Sequence, residues 1–117
     1  MSTLKKEYGR HYLVELIDCD PLKIKYVEQV REVFLRAAHA SEATIVEHFF
    51  KQYDPHGVTG IILISESHFS IHTWPEDGFV AMDIFTCGQM NPEKAIDVVR
   101  EGFKATMLKK KIIERGY

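Results

Sequence analysis

The sequence has few of the features that define a disulfide-rich, membrane-spanning or polyanion-binding protein. Its 117 residues include only two cysteines, Cys19 and Cys87, and no CxxC pair, so neither a disulfide framework nor a zinc knuckle is indicated. Apolar runs reach only the length of Ile61 to Ile64, far below the roughly 20 residues that span a bilayer, and the N-terminus lacks an apolar signal-peptide core. The net charge of -2 argues against a broad nucleic-acid-binding surface. We therefore expect a cytoplasmic protein.

The composition is typical of an ordinary globular protein, with 45% hydrophobic and 27% charged residues. The length fits one domain, residues 1–117, and leaves no room for a second core. The one charge run, Lys109-Lys110-Lys111, is better explained as a solvated face than as an anion-binding site.

Local patterns predict strands separated by two helices. The strands are expected at Arg10–Asp18, Ala43–Tyr53, Val58–Ser65 and Phe79–Thr86, with a last short strand at Ile112–Ile113. Asp20-Pro21 and Asn91-Pro92 each predict a helix start, because a polar cap followed by proline suits the first turn. Apolar stripes follow both starts, the second consisting of Ile96, Val99, Phe103 and Met107.

The order of these elements predicts an α+β fold. The connections are too short for many parallel crossovers, which favours a two-layer sandwich with a mainly antiparallel sheet covered by two helices. The continuous β-branched run Val58–Ser65 is typical of a strand buried on both faces.

Residues 65–78 combine serines, histidines and glutamates in a segment that otherwise resembles a strand. His68 and His72 have the spacing that lets two imidazoles share a metal ion on a helix, but in a strand that spacing separates them by roughly 13 Å. Ser67 lies in no Gly-x-Ser-x-Gly elbow, which weakens a hydrolase interpretation. Taken singly, each of these residues is more often structural than catalytic.

Together, two motifs carry a specific resemblance. The segment Leu63 to Glu76, LISESHFSIHTWPE, followed by DIFTCG at Asp83 to Gly88, closely resembles the bacterial and archaeal S-adenosylmethionine decarboxylase proenzymes, which are pyruvoyl-dependent. The similarity extends from Gly9-Arg10-His11 to Glu114-Arg115-Gly116 and so covers nearly the whole chain.

The resemblance implies that the chain cleaves itself between Glu66 and Ser67. The Ser67 hydroxyl would attack the Glu66 carbonyl, and elimination would then leave a pyruvoyl group at residue 67. Residues 1–66 would form the β chain and residues 67–117 the α chain. His72 matches the processing histidine of the family, and a base that titrates near neutrality suits removal of the Ser67 α-proton.

The resemblance also implies decarboxylation of S-adenosylmethionine, with the pyruvoyl group as electron sink, to give the aminopropyl donor for spermidine synthesis. Cys87 matches the proton donor of the family, and an ordinary thiol is mostly protonated at neutral pH. Cys19 matches no catalytic position.

Four binding roles follow from the same resemblance. Glu76 matches the acidic residue that accepts hydrogen bonds from ribose hydroxyls. Tyr53 stands where a phenylalanine is expected to stack on adenine and the sulfonium, and Thr59 stands where a serine is expected to assist processing. Trp74 fits pocket lining and core packing equally well.

The resemblance implies a homodimer with sites near the interface, since so small a protomer has little surface to enclose a nucleoside. From the spacing of the histidines in a strand, the net charge and the short apolar runs, we expect no metal, nucleic acid or membrane partner. Two alternatives stay open: a pyruvoyl enzyme acting on ornithine or arginine, and a noncatalytic dimeric domain in which Ser67 is never cleaved.

Overall fold

The computed structural model of the chain describes residues 4–65 and 67–117. Its strands are β1 (Glu7–Ile17), β2 (Ile45–Gln52), β3 (Val58–Ile64), β4 (Ser67–Trp74), β5 (Phe79–Thr86) and β6 (Met107–Gly116). Its helices are α1 (Pro21–Ile24), α2 (Val27–Ala40) and α3 (Pro92–Gly102), and a 3-10 turn covers Pro75–Asp77. In the described part of the chain, no helix is long and apolar enough to cross a membrane.

The strands form one antiparallel sheet in the order β2-β3-β4-β5-β1-β6. Helices α2 and α3 pack against one face, where Phe34, Phe69 and Phe103 are fully buried. The predicted α+β sandwich, with a mainly antiparallel sheet covered by two helices, is confirmed. The opposite side, which we call the open face, carries no helix among the described residues.

Both predicted helix starts are present, but the first is interrupted. Asp20 accepts a hydrogen bond from the Leu22 amide, yet α1 ends after one turn and Tyr26 is extended before α2 begins. The reason is tertiary: the Gln52 side chain accepts from the Val27 amide at 2.7 Å and donates to the Lys25 carbonyl at 3.0 Å. These contacts from β2 satisfy backbone groups that a continuous helix would have paired internally.

Three expectations about apolar segments were wrong. Strand β3 is buried on one face only, because helices cover a single side of the sheet, and Ile61 and Leu63 stand exposed on the open face. The stripe of the last helix ends at Phe103, since α3 stops at Gly102 and Met107 already belongs to β6. Strand β6 is longer than Ile112–Ile113, because an edge strand tolerates the lysines that begin it.

Gly60 should resist substitution because Phe50 lies across it. A Cβ at Gly60 would meet the Phe50 ring at 2.2 Å, whereas a Cβ at Gly88 would meet nothing within 4 Å. We expect Gly60→Ala to lower the free energy of unfolding by about 1–3 kcal/mol, as overpacking does, and Gly88→Ala to change it by less than about 0.5 kcal/mol. Urea unfolding measures both; equal losses in the two variants would contradict this packing.

Candidate active site

Ser67 and Cys87 meet at one end of the sheet although 20 residues separate them in sequence. Ser67 is the first residue of β4, and Cys87 directly follows β5, its antiparallel neighbour. The Ser67 Oγ atom lies 3.6 Å from the Cys87 Sγ atom. Ser67 is half-buried and Cys87 is exposed, so this pair is open to a ligand. Glu66, the other residue of the predicted cleavage site, lies outside the described residues.

A second cluster lies toward the other end of β4. The Thr59 Oγ1 and His72 Nδ1 atoms are 3.0 Å apart across the β3–β4 ladder. Both residues line a cavity of about 310 Å³, which we call the His72 cavity. Its walls also include the three remaining predicted binding residues, Tyr53, Trp74 and Glu76. Five of the predicted site residues are therefore brought together.

Two aromatic side chains that line this cavity, Tyr53 and Trp74, are exposed to solvent. Trp74 is 40% exposed, with its ring between those of His72 and Phe79, and Tyr53 is 47% exposed. A tryptophan packed in the core would be buried, so the exposure of Trp74 favours a role in lining the pocket. Tyr53 and Trp74 together offer ring surface on which a planar ligand can stack.

The two clusters do not meet within one chain. Ser67 and His72 are five positions apart on the same strand, a separation of roughly 16 Å at 3.3 Å per residue. Direct proton transfer requires heavy atoms within about 3.2 Å of each other. His72 of the same chain therefore cannot reach Ser67, a fact that the sequence resemblance did not indicate.

A loop held by several backbone contacts leads from Tyr53 into the cavity. Gly57 donates its amide to the Lys25 carbonyl and accepts from the Tyr53 amide, both at 2.9 Å. The φ of Gly57, 111°, favours glycine at this position. Between these residues, His56 lies on the cavity wall. His56 was not among the residues predicted from the sequence, although its position between Pro55 and Gly57 was a usable signal.

A polar network crosses the open face, and sequence reasoning missed this as well. The Arg115 guanidinium can only donate, so its 3.0 Å contact with His11 Nδ1 places the ring proton on Nε2. That nitrogen lies 3.0 Å from Asp83 Oδ2, while Ser70 donates to Asp83 Oδ1 at 2.5 Å. His68 Nε2 lies 3.6 Å from the same oxygen.

Metal-ligand geometry is partly present in this network. Nitrogens of His11 and His68 and an oxygen of Asp83 all lie within 4.8 Å of one another. A metal-bound histidine, however, normally donates from its second nitrogen to an acceptor. His11 instead accepts from Arg115 there, which favours a hydrogen-bond network over an ion site. The expectation that the protein uses no metal stays a prediction.

The two cysteines should differ sharply in reactivity at pH 8. Burial, with a smaller effect of the Asp18 carboxylate, raises the pKa of the Cys19 thiol to about 11. The thiolate is the reactive form, so a thiol reagent should modify the exposed Cys87 and leave Cys19 unmodified in the folded protein. Mass spectrometry of the labelled peptides reads this out, with urea-unfolded protein as the control in which both react. Equal labelling in the folded state would contradict the assignment.

Comparison with known proteins identifies one family. Residues 10–116 match the family model described as S-adenosylmethionine decarboxylase. Among curated relatives, the S-adenosylmethionine decarboxylase proenzyme of Pyrococcus abyssi is 43% identical over 109 residues, covering 92% of this chain and 78% of the relative. That of Pelotomaculum thermopropionicum is 41% identical over 112 residues, covering 95% of this chain and 89% of the relative.

A solved structure is similar along almost its full length. The crystal structure of the adenosylmethionine decarboxylase from Aquifex aeolicus superposes with a TM-score of 0.87 at 36% identity, covering 96% of this chain and 93% of that one. Sequence and fold thus agree on one family, and the resemblance carried by the SESH and FTCG motifs is confirmed. The chain belongs to the S-adenosylmethionine decarboxylase family.

Proposed function

We propose that the chain is a proenzyme that cleaves itself and then acts as a carboxy-lyase on S-adenosylmethionine. The decarboxylated product is the aminopropyl donor for spermidine synthesis, and the reaction takes place in the cytoplasm. The observation that carries the proposal is the 3.6 Å distance between Ser67 Oγ and Cys87 Sγ. It pairs a hydroxyl at the predicted cleavage site, at the start of β4, with the predicted proton donor, directly after β5.

Self-cleavage needs no external enzyme in this proposal. The Ser67 hydroxyl attacks the Glu66 carbonyl, and the peptide bond becomes an ester as the acyl group moves from nitrogen to oxygen. Removal of the Ser67 α-proton expels the Glu66 carboxylate. Water then replaces the nitrogen at residue 67, which leaves as ammonia, and a ketone remains at the new N-terminus.

The topology of the sheet suits a cut at this position. Bond 66–67 lies between Ile64, the end of β3, and Ser67, the start of β4, so cleavage and loss of the residue 67 nitrogen leave the ladder pairs from Leu63–His68 onward intact. Strands β4 and β5 of the α chain stand between β3 and β1 of the β chain. The two chains therefore stay interleaved after cleavage, and residue 67 keeps its place beside Cys87.

A pyruvoyl group fits the position of Ser67, since the group is made from that residue and lies beside a proton donor. When present, it supplies a ketone that takes up the substrate amine and accepts the electrons released as carbon dioxide leaves. Cys87 holds the proton that the α-carbon then takes up. Its exposure gives solvent a route for returning that proton after each turnover.

The His72 cavity supports a nucleoside as substrate. Glu76 is exposed there and offers carboxylate oxygens to the ribose hydroxyls, while Tyr53 and Trp74 offer ring faces to adenine or the sulfonium. Ornithine and arginine lack the ribose and the purine. These features favour S-adenosylmethionine over both alternatives.

A second copy of the chain is proposed to complete the site. Ser67 and His72 of one chain lie roughly 16 Å apart, whereas a base must touch the proton that it removes. The open face exposes large apolar side chains, which marks it as an interaction surface: Leu13, Phe49, Ile61, Leu63, Trp74 and Ile113. A homodimer closed through this face would bring His72 of one copy, hydrogen-bonded to its Thr59, to Ser67 of the other.

Complementation between two inactive variants tests cleavage and dimerisation together. We expect Ser67→Ala to stay one chain because it lacks the nucleophile, and tagged His72→Ala to stay intact because both of its sites lack the base. When the two are co-expressed, the tagged His72→Ala chain should be cut into 1–66 and 67–117, with a hydrazide-reactive ketone at residue 67. Intact-mass spectrometry detects the fragments.

Each unexpected outcome of this experiment has a definite meaning. Cleavage of His72→Ala on its own would overturn the role of His72, and no cleavage in the mixture would overturn the shared site. If the native chain also stays intact, the noncatalytic domain becomes the better description.

Substrate choice should depend on Glu76 and the ring of Tyr53. Glu76→Ala should weaken binding of a nonreactive adenosine analogue by about 1.5–3 kcal/mol, the scale of a hydrogen bond to a charged group. Tyr53→Ala should weaken it by removing the stacking surface, and Tyr53→Phe, the matched control, should not. Calorimetry measures affinity. Unchanged affinity in both alanine variants would favour the ornithine or arginine alternative.

A further inference from the structure

His56 places a buried polar atom on the wall of the His72 cavity. Its Nδ1 atom is inaccessible to solvent and makes no hydrogen bond with any described residue. The nearest charged group is the Glu76 carboxylate, whose Oε1 atom lies 3.9 Å away, just beyond hydrogen-bond distance. Buried polar atoms in folded proteins are nearly always paired, so an unpaired nitrogen in a ligand cavity calls for a function.

The two residues differ in how firmly they are held. His56 sits in the loop anchored at Gly57, and the Gln52 side chain donates to the Gly57 carbonyl at 3.1 Å. The Glu76 side chain is 57% exposed on the short turn Pro75–Asp77. The more exposed glutamate side chain is therefore the freer of the two to move and close the gap.

We propose that His56 is a positioning residue that fixes the Glu76 carboxylate for ribose recognition. A carboxylate only accepts, so His56 donates its Nδ1 proton to one Glu76 oxygen and leaves the other oxygen to the ribose hydroxyls. One rotamer of Glu76 is then favoured before the ligand arrives, which lowers the entropy lost on binding. The inference rests on the proposed function, in which this cavity binds a nucleoside.

The proposal makes His56 act through Glu76 and not on the ligand directly. Its effect must therefore vanish when Glu76 can no longer accept a charge-assisted hydrogen bond, which a double-mutant cycle measures. It must also vanish for a ligand without ribose hydroxyls. A histidine that merely packs the loop would show neither dependence.

The experiment uses the processed protein and two probes, 5′-methylthioadenosine and its 2′,3′-dideoxy analogue, neither of which has an amine to react with a ketone. His56→Phe keeps a ring but removes the donor, so binding of the first probe should weaken roughly tenfold, the scale of one hydrogen bond to a charged group. His56→Asn should restore most of that affinity, because its amide nitrogen stands as many bonds from the backbone as Nδ1. His39→Phe, on the exposed surface of α2, is the matched control.

In the Glu76→Ala background, which has no side-chain acceptor at this position, His56→Phe should have no further effect, and the dideoxy probe should bind equally to all variants. Additive losses in the cycle, or equal losses with both probes, would overturn the inference. Unchanged affinity in Glu76→Ala alone would overturn it as well. Mass measurement of self-cleavage in the same variants separates these failures from failure of the proposed function, since processing needs neither residue.

Discussion

The antiparallel pairing of β4 with β3 and β5 is the constraint on which the rest of the molecule depends. Ladders on both sides hold residues 68–72 of this strand, so their side chains alternate between two environments. Phe69 and Ile71 enter the core beneath the helices, while His68 and His72 point to the open face. A one-residue shift of register would bury the histidines and expose the core side chains. Packing of the core therefore determines which side chains of β4 lie on the open face.

The same sheet explains how the proposed cleavage would leave one fold. The strand order places β4 and β5 between strands that precede the cleavage site, and the core draws on both sides of it. Side chains across the open face add to this cohesion: Arg115 on β6, His11 on β1, Asp83 on β5 and Ser70 on β4 form one line of hydrogen bonds. The proposed cleavage would thus create a reactive group without separating the strands around it.

Helices cover only one face of the sheet in the described part of the chain, and this has a consequence for function. Helices occupy a single face, and the residues with chemical roles lie on the other face or at its ends. Within one protomer, the Ser67–Cys87 pair and the His72 cavity lie toward opposite ends of β4. The polar network and the apolar side chains of the open face lie between them. In the proposed homodimer, a second copy would cover this surface and bring the two groups of residues together, so that catalysis would depend on assembly.

By itself, the sequence determined the fold class and the helix starts, and it supplied the candidate residues of the site. Cap-and-proline pairs and β-branched runs act through neighbouring residues, and the SESH and FTCG motifs are each continuous in sequence. All of these signals can therefore be recognised without a structure. Only the tertiary structure decided that Gln52 interrupts the first helix, that His56 faces Glu76, and that Ser67 and His72 lie apart. These facts depend on contacts between distant segments and on which face of the sheet the helices cover, and neither is encoded in local pattern.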